Sequence, residues 1–74
     1  MKTQYKYIEF IKDAKDYDWW RCQNRKKVAL GIVSYEERWK EWEFCPYEGR
    51  GFTIECLRDI ADFLRQLNAE ETPQ

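Results

Sequence analysis

The stretch from Phe52 to Leu67, FTIECLRDIADFLRQL, constrains this chain more than any other. At about 100° per residue, Phe63, Cys56, Leu67, Ile60, Leu64, Leu57 and Ala61 fall in one arc of roughly 160°, and Arg65, Arg58, Asp62, Glu55, Gln66 and Asp59 occupy the opposite side. Such a pattern predicts a surface helix with one buried face. Thr53 is a natural N-cap, and Phe52 before it can staple onto Leu57. At the far end Asn68 can cap the helix, and Pro73 limits its continuation. A helix with a single apolar face needs a layer to cover it, so the upstream sequence must supply a sheet.

Strand signals follow one another along that upstream sequence. Tyr5 to Ile11 is rich in β-branched and aromatic residues, with Ile8 and Phe10 on one face and Tyr5 and Tyr7 on the other. Lys12 to Asp16 is a polar connector, and Tyr17 to Gln23 forms a second strand. Asn24, Arg25 and Lys26 make a polar turn, with Lys27 adjoining it. Val28 to Tyr35 then gives a third strand, with Val28, Leu30 and Ile32 expected on one side and Ala29, Gly31, Val33 and Tyr35 on the other. A glycine here marks a bulge or a place where a large ring lies over the backbone. After the turn Glu36-Glu37-Arg38, Trp39 to Cys45 alternates cleanly, Trp42 and Phe44 against Glu41 and Glu43. Pro46, Gly49 and Gly51 then carry the chain out of the sheet.

The order is therefore ββββα: one α+β domain in which an antiparallel meander of three or four strands packs on one C-terminal helix. If Trp42 and Phe44 face the helix, so do Leu30, Ile32, Trp20, Cys22, Ile8 and Phe10. The opposite face is then expected to hold Tyr5, Tyr7, Trp19, Arg21, Val33, Tyr35 and Trp39, beside Glu41 and Glu43. With 74 residues, a domain this small buries only about 60% of its unfolded surface. Its 4 Trp, 5 Tyr and 4 Phe supply large apolar area, and more of it than one thin core can hold.

Charge and cysteine usage narrow the function classes. Net charge is -1 and unevenly spread: residues 1–27 carry 8 Lys+Arg against 4 Asp+Glu, and residues 28–74 carry 5 against 10. Phosphate binding normally shows a clear basic excess. No apolar run has the length of a signal peptide or a membrane span, which points to a cytoplasmic protein without a membrane partner. Cys22, Cys45 and Cys56 stand far apart, with no CxxC pair and no histidine. That usage suits a reducing compartment, and three thiols fall short of the four ligands of a structural zinc site. Neither a metal nor a small-molecule cofactor is expected.

Catalytic chemistry finds little support. Acidic pairs such as Glu41/Glu43 and Glu36/Glu37 are better explained as a solvated strand face and a turn. The cysteines lack the commonest activating base, and Ser34 stands alone. Gly49-Arg50-Gly51 precedes a helix but lacks the glycine spacing and the lysine of a phosphate loop. No enzymatic activity is expected.

The segment from Trp20 to Pro46, with FTIECLRDIADFLRQLN after it, resembles a group of small uncharacterised proteins found among bacterial accessory genes and tailed-phage genomes. Trp20, Cys22, Leu30-Gly31-x-Val33, Tyr35, Trp39, Phe44-x-Pro46 and Cys56-Leu57-x-Asp59-Ile60-Ala61 with Phe63 carry the resemblance, over residues 19–68. It implies a phage or accessory-genome protein and carries no assigned activity with it. More distantly, strands followed by one helix resemble the DNA-binding domains of AP2 proteins and of phage-integrase N-termini. Those sheets are basic on the reading face, where this one has Glu41 and Glu43.

A contiguous exposed set of rings marks a contact surface, and Trp, Tyr and Arg dominate interface hot spots. The expected binding residues are therefore Trp19, Arg21, Tyr35 and Trp39 on the sheet, with Arg25, Lys26 and Lys27 at the basic turn. The acidic neighbours favour a protein partner, or a second copy of the chain as a homodimer, over nucleic acid. The alternative is a small nucleic-acid-binding accessory protein that neutralises phosphates with the Arg25–Lys27 turn and stacks bases on the sheet aromatics.

Overall fold

The computed structural model describes residues 1–12 and 18–70. Four strands, β1 (Ile8–Lys12), β2 (Trp19–Asn24), β3 (Ala29–Glu36) and β4 (Glu41–Pro46), precede one helix, α1 (Ile54–Glu70). The strands form one antiparallel sheet in the order β1-β2-β3-β4, a meander with α1 across one face. The α+β, ββββα architecture expected from the sequence is the observed one. Tyr17, Asp13 to Asp16 and Pro73 lie outside the described residues.

Local chemistry sets the element boundaries. Thr53 Oγ1 accepts the Cys56 amide at 3.2 Å, so the expected N-cap is in place. In the turn after β2, Asn24 Oδ1 accepts the amides of Lys26 and Val28 at 2.9 and 3.0 Å, an Asx arrangement that lets Lys27 take φ 70°. The β3–β4 turn closes with the Lys40 amide on Glu36 O at 2.8 Å, and Lys40 has φ 56°. Trp39 belongs to this turn, not to β4 as the alternation suggested.

The core lies between α1 and the sheet. Phe63 stacks on Phe10, centroids 4.0 Å apart, and meets Trp20 edge-on at 5.1 Å. Tyr5, Ile8, Cys22, Val33, Trp42, Ile60 and Leu67 complete it. Phe63 is thus the centre of the buried helix face. Ile60 is buried as expected, Leu64 only half-buried, and Leu57 is exposed. Phe52 packs edge-to-face on Phe44, at 5.3 Å.

One irregularity reassigns the faces of β3. Cys22 pairs with Gly31 while Gln23 pairs with Ala29, so Leu30 is the extra residue of a bulge. From Gly31 onward the side chains are shifted by one relative to simple alternation. Val33 and Tyr35, expected on the far face, point to the helix, and Ile32, expected toward the helix, lies on the far face opposite Arg21 and Cys45. Gly31 also lies under the Phe44 ring: a Cβ there would stand 2.9 Å from Phe44 Cζ and 2.6 Å from the Cys45 carbonyl.

Tyr5 is a second correction. Residues 3–5 fold back along the outer edge of β1, with the Phe10 amide on Thr3 O at 2.8 Å and the Tyr5 amide on Ile8 O at 2.9 Å. The Tyr5 ring enters the core and meets Phe10 edge-on. Its hydroxyl donates to Asp62 Oδ2 at 2.8 Å and accepts from Gln66 Nε2 at 3.0 Å. Burial, followed by the Asp62 carboxylate, pushes its ionisation far above the usual range. On the other sheet edge the Trp42 amide donates to Asn68 Oδ1 at 2.9 Å, and Pro46 has no amide to offer. Both edges are therefore partly blocked against strand addition.

Candidate functional site

The sheet face turned away from α1 carries no second layer among the described elements. Cross-strand partners share a face, so the register gives its contents directly. One row runs Ile11, Arg21, Ile32, Cys45 across the four strands, and a neighbouring row runs Trp19, Ser34, Glu43. Ile11 is exposed and Trp19, Arg21 and Ile32 are half-exposed. This is an apolar and cationic centre flanked by two charged ends of different character.

At the end near the β2–β3 turn, Glu9 is the organising residue. Although on the open face of β1, it is buried, because a polar chain covers it. Gln23 Nε2 donates to Glu9 Oε2 at 2.7 Å, and Arg21 Nε donates to Gln23 Oε1 at 3.2 Å. Lys27 Nζ and Arg25 Nη1 reach the same carboxylate at 2.7 and 3.4 Å. The hydrogen bond from Lys27, then that from Gln23, hold the Glu9 carboxyl below the usual carboxylate range. Sequence reasoning missed Glu9, since a lone carboxylate in a strand ordinarily faces water. The excess of cations in residues 1–27 was the signal available.

The opposite end is acidic. Glu36 and Glu41 are cross-strand partners on the open face, with Glu43 two residues along. Arg38 hydrogen-bonds Glu36 at 3.1 and 3.2 Å and lowers its carboxyl. Cys45 Sγ donates to Glu43 Oε2 at 3.6 Å, and burial followed by that carboxylate raises the thiol. Among the described residues no cluster of three or more His, Cys, Asp or Glu is placed to hold a metal ion.

The structure thus separates the residues grouped from the sequence. Trp19 and Arg21 share the open face. Tyr35 is on the helix side, packed edge-on against Trp42 at 5.8 Å, and Trp39 stands in the β3–β4 turn with 71% of its surface exposed. Arg25 and Lys27 are drawn onto Glu9, and Lys26 projects from the turn, exposed. No described helix is long and apolar enough to cross a membrane. Comparison with protein-family models, curated proteins and solved structures gives no match.

Proposed function

We propose that this chain is a non-enzymatic interaction module, cytoplasmic and of the accessory or phage kind its sequence resembles, that binds a protein partner or a second copy of itself through the open sheet face. The observation that carries the reading is the pairing of Trp19 and Arg21 with Ile11 and Ile32 on a face that α1 does not cover. Trp and Arg beside exposed aliphatic groups make a hot-spot composition. The partly blocked sheet edges favour docking on the face over strand addition.

Electrostatics favour protein over nucleic acid. Arg25 and Lys27 are engaged with Glu9, and Glu36, Glu41 and Glu43 repel phosphate at the other end. A partner with a basic rim opposite β4 and an apolar centre is complementary to this face.

Light-scattering mass and capture from nuclease-treated lysate, run on wild type, Trp19→Ala and Trp39→Ala, test the reading. Trp19→Ala is expected to abolish either the dimer or the capture, and Trp39→Ala to leave both in place. Capture lost on nuclease treatment would replace the reading with nucleic-acid binding, and retention by Trp19→Ala would remove the open face from the site.

A further inference from the structure

Helix α1 carries two apolar seams: one packs on the sheet along its whole length, and the other meets the core at Leu64 and the β4 edge at Asn68 but leaves its first turns open. Cys56, Ile60, Phe63 and Leu67 recur at spacings of four, three and four and pack on the sheet. Beside them Ile54, Leu57, Ala61, Leu64 and Asn68 recur at three, four, three and four, the a/d spacing of a helix that pairs with another helix. Ile54 is 70% exposed and Leu57 50%, although both are large aliphatic side chains on a helix of 17 residues. The core does not explain them, and isolated exposure does not explain their spacing.

The charges beside this second seam decide what fits it. With Ile54 and Ala61 at a and Leu57 and Leu64 at d, Arg58 and Arg65 take the two e positions. Both are exposed, and neither makes an ion pair among the described residues. Glu55, Asp59 and Asp62 lie beyond the two arginines, away from the seam; Asp62, one turn from both, accepts the Tyr5 hydroxyl, and Gln66 donates to that hydroxyl. A second copy packed antiparallel on the seam would bring Arg58 and Arg65 against their own equivalents, and like charges at those positions exclude a partner. In a parallel copy they would meet the position occupied by Ile60 and Leu67, which is buried and carries no carboxylate.

We infer that the Ile54–Leu64 seam of α1 docks an amphipathic helix of another protein, with carboxylates on the flank that meets Arg58 and Arg65. This surface lies on the helix, opposite the sheet face of the proposed function, and does not depend on it. Apolar burial of Ile54 and Leu57 supplies attraction, and the two guanidinium groups select the acidic partner and its register.

Two synthetic amphipathic helices of about three heptads, with leucine at a and d and either glutamate or lysine at e and g, test it. Each is titrated into the labelled full chain while backbone amide shifts are followed. The glutamate peptide is expected to shift the amides of Ile54, Leu57, Ala61 and Leu64, and the lysine peptide to bind at least about tenfold more weakly. In an Arg58→Glu/Arg65→Glu chain, changed only at exposed positions, the preference is expected to reverse. A Leu57→Glu chain, which retains its melting transition because Leu57 is outside the core, is expected to lose both peptides. Equal binding of the two peptides, shifts confined to the Trp19–Ile32 face, or no shift at millimolar peptide would each overturn the inference.

Discussion

The ring of Phe63 lies flat on that of Phe10, their planes 6° from parallel, and both are fully enclosed. This contact joins the middle of α1 to β1, the strand most distant from it in sequence. Phe63→Ala removes the stack and the edge contact with Trp20 together, a loss of about 3 to 5 kcal/mol. For a domain of this size, where 1 kcal/mol moves the midpoint by about 4 to 8 °C, the thermal transition is expected to fall by more than about 10 °C or to lose cooperativity. Leu64→Ala, at a half-buried position on the edge of the same face, is expected to cost less. Circular-dichroism melts of the two variants side by side decide the ranking.

Gly31→Ala is expected to be disproportionately destabilising for one methyl group. The added carbon would meet backbone at the Cys45 carbonyl and at Pro46 Cα, 2.9 Å away, as well as the Phe44 ring. The ring can turn, but the β4 backbone can yield only by opening the β3–β4 pairing. A cost of about 1 to 3 kcal/mol follows from overpacking of this kind, read from the urea midpoint. Tolerance of alanine within a few tenths of a kcal/mol would show that β4 is not fixed over Gly31.

How much of this was legible in the sequence depended on whether a regular period was kept. The helix and β4 were, because 3.6-residue and two-residue spacings run unbroken through Cys56–Leu67 and Glu41–Cys45. The face of β3 was not, because the bulge at Leu30 inserts one residue, and a single insertion exchanges Ile32 with Val33. Gly31 signalled an irregularity there without saying which way the chain would resume. Tyr5 looked like a strand residue on the Tyr7 side, but the fold-back onto the edge of β1 carries it into the core, where Asp62 and Gln66 satisfy its hydroxyl. Trp39 extends the alternation of β4 in sequence, yet the turn closed by Lys40 removes it from the strand. Of the expected site, Trp19 and Arg21 were placed together because β2 holds its alternation from Trp19 to Cys22.

The three thiols are free and differ in access. Cys22 is completely buried, and burial, followed by the neighbouring Cys56, pushes its pKa up to about 12. Only the thiolate reacts, so iodoacetamide at about pH 8 is expected to leave Cys22 unmodified in the folded chain. Cys45 and Cys56 are partly exposed and are the sites open to labelling. Mass spectrometry is expected to find at most two adducts on native protein and three after denaturation. A native adduct on Cys22 would mean that the core opens on the labelling timescale.

Acid is expected to weaken the fold through Glu9 more than through any exposed carboxylate. Its folded pKa lies below the ordinary value, held there by Lys27 and Gln23, so the unfolded chain takes up the proton first as pH falls. The sign follows from linkage: the stabilisation is complete above the unfolded pKa of about 4.3 and is lost as pH drops through the lower folded pKa. Glu9→Gln keeps the shape but removes the charge, so it cannot show that loss. Urea midpoints of wild type and Glu9→Gln, compared between about pH 7 and pH 3, isolate the contribution because every other carboxylate is common to both. Wild type is expected to be the more stable above about pH 5, with the gap closing steadily below it. A gap independent of pH would mean that the carboxyl titrates alike in the folded and unfolded chains, and a gap widening in acid would reverse the sign of its pKa shift.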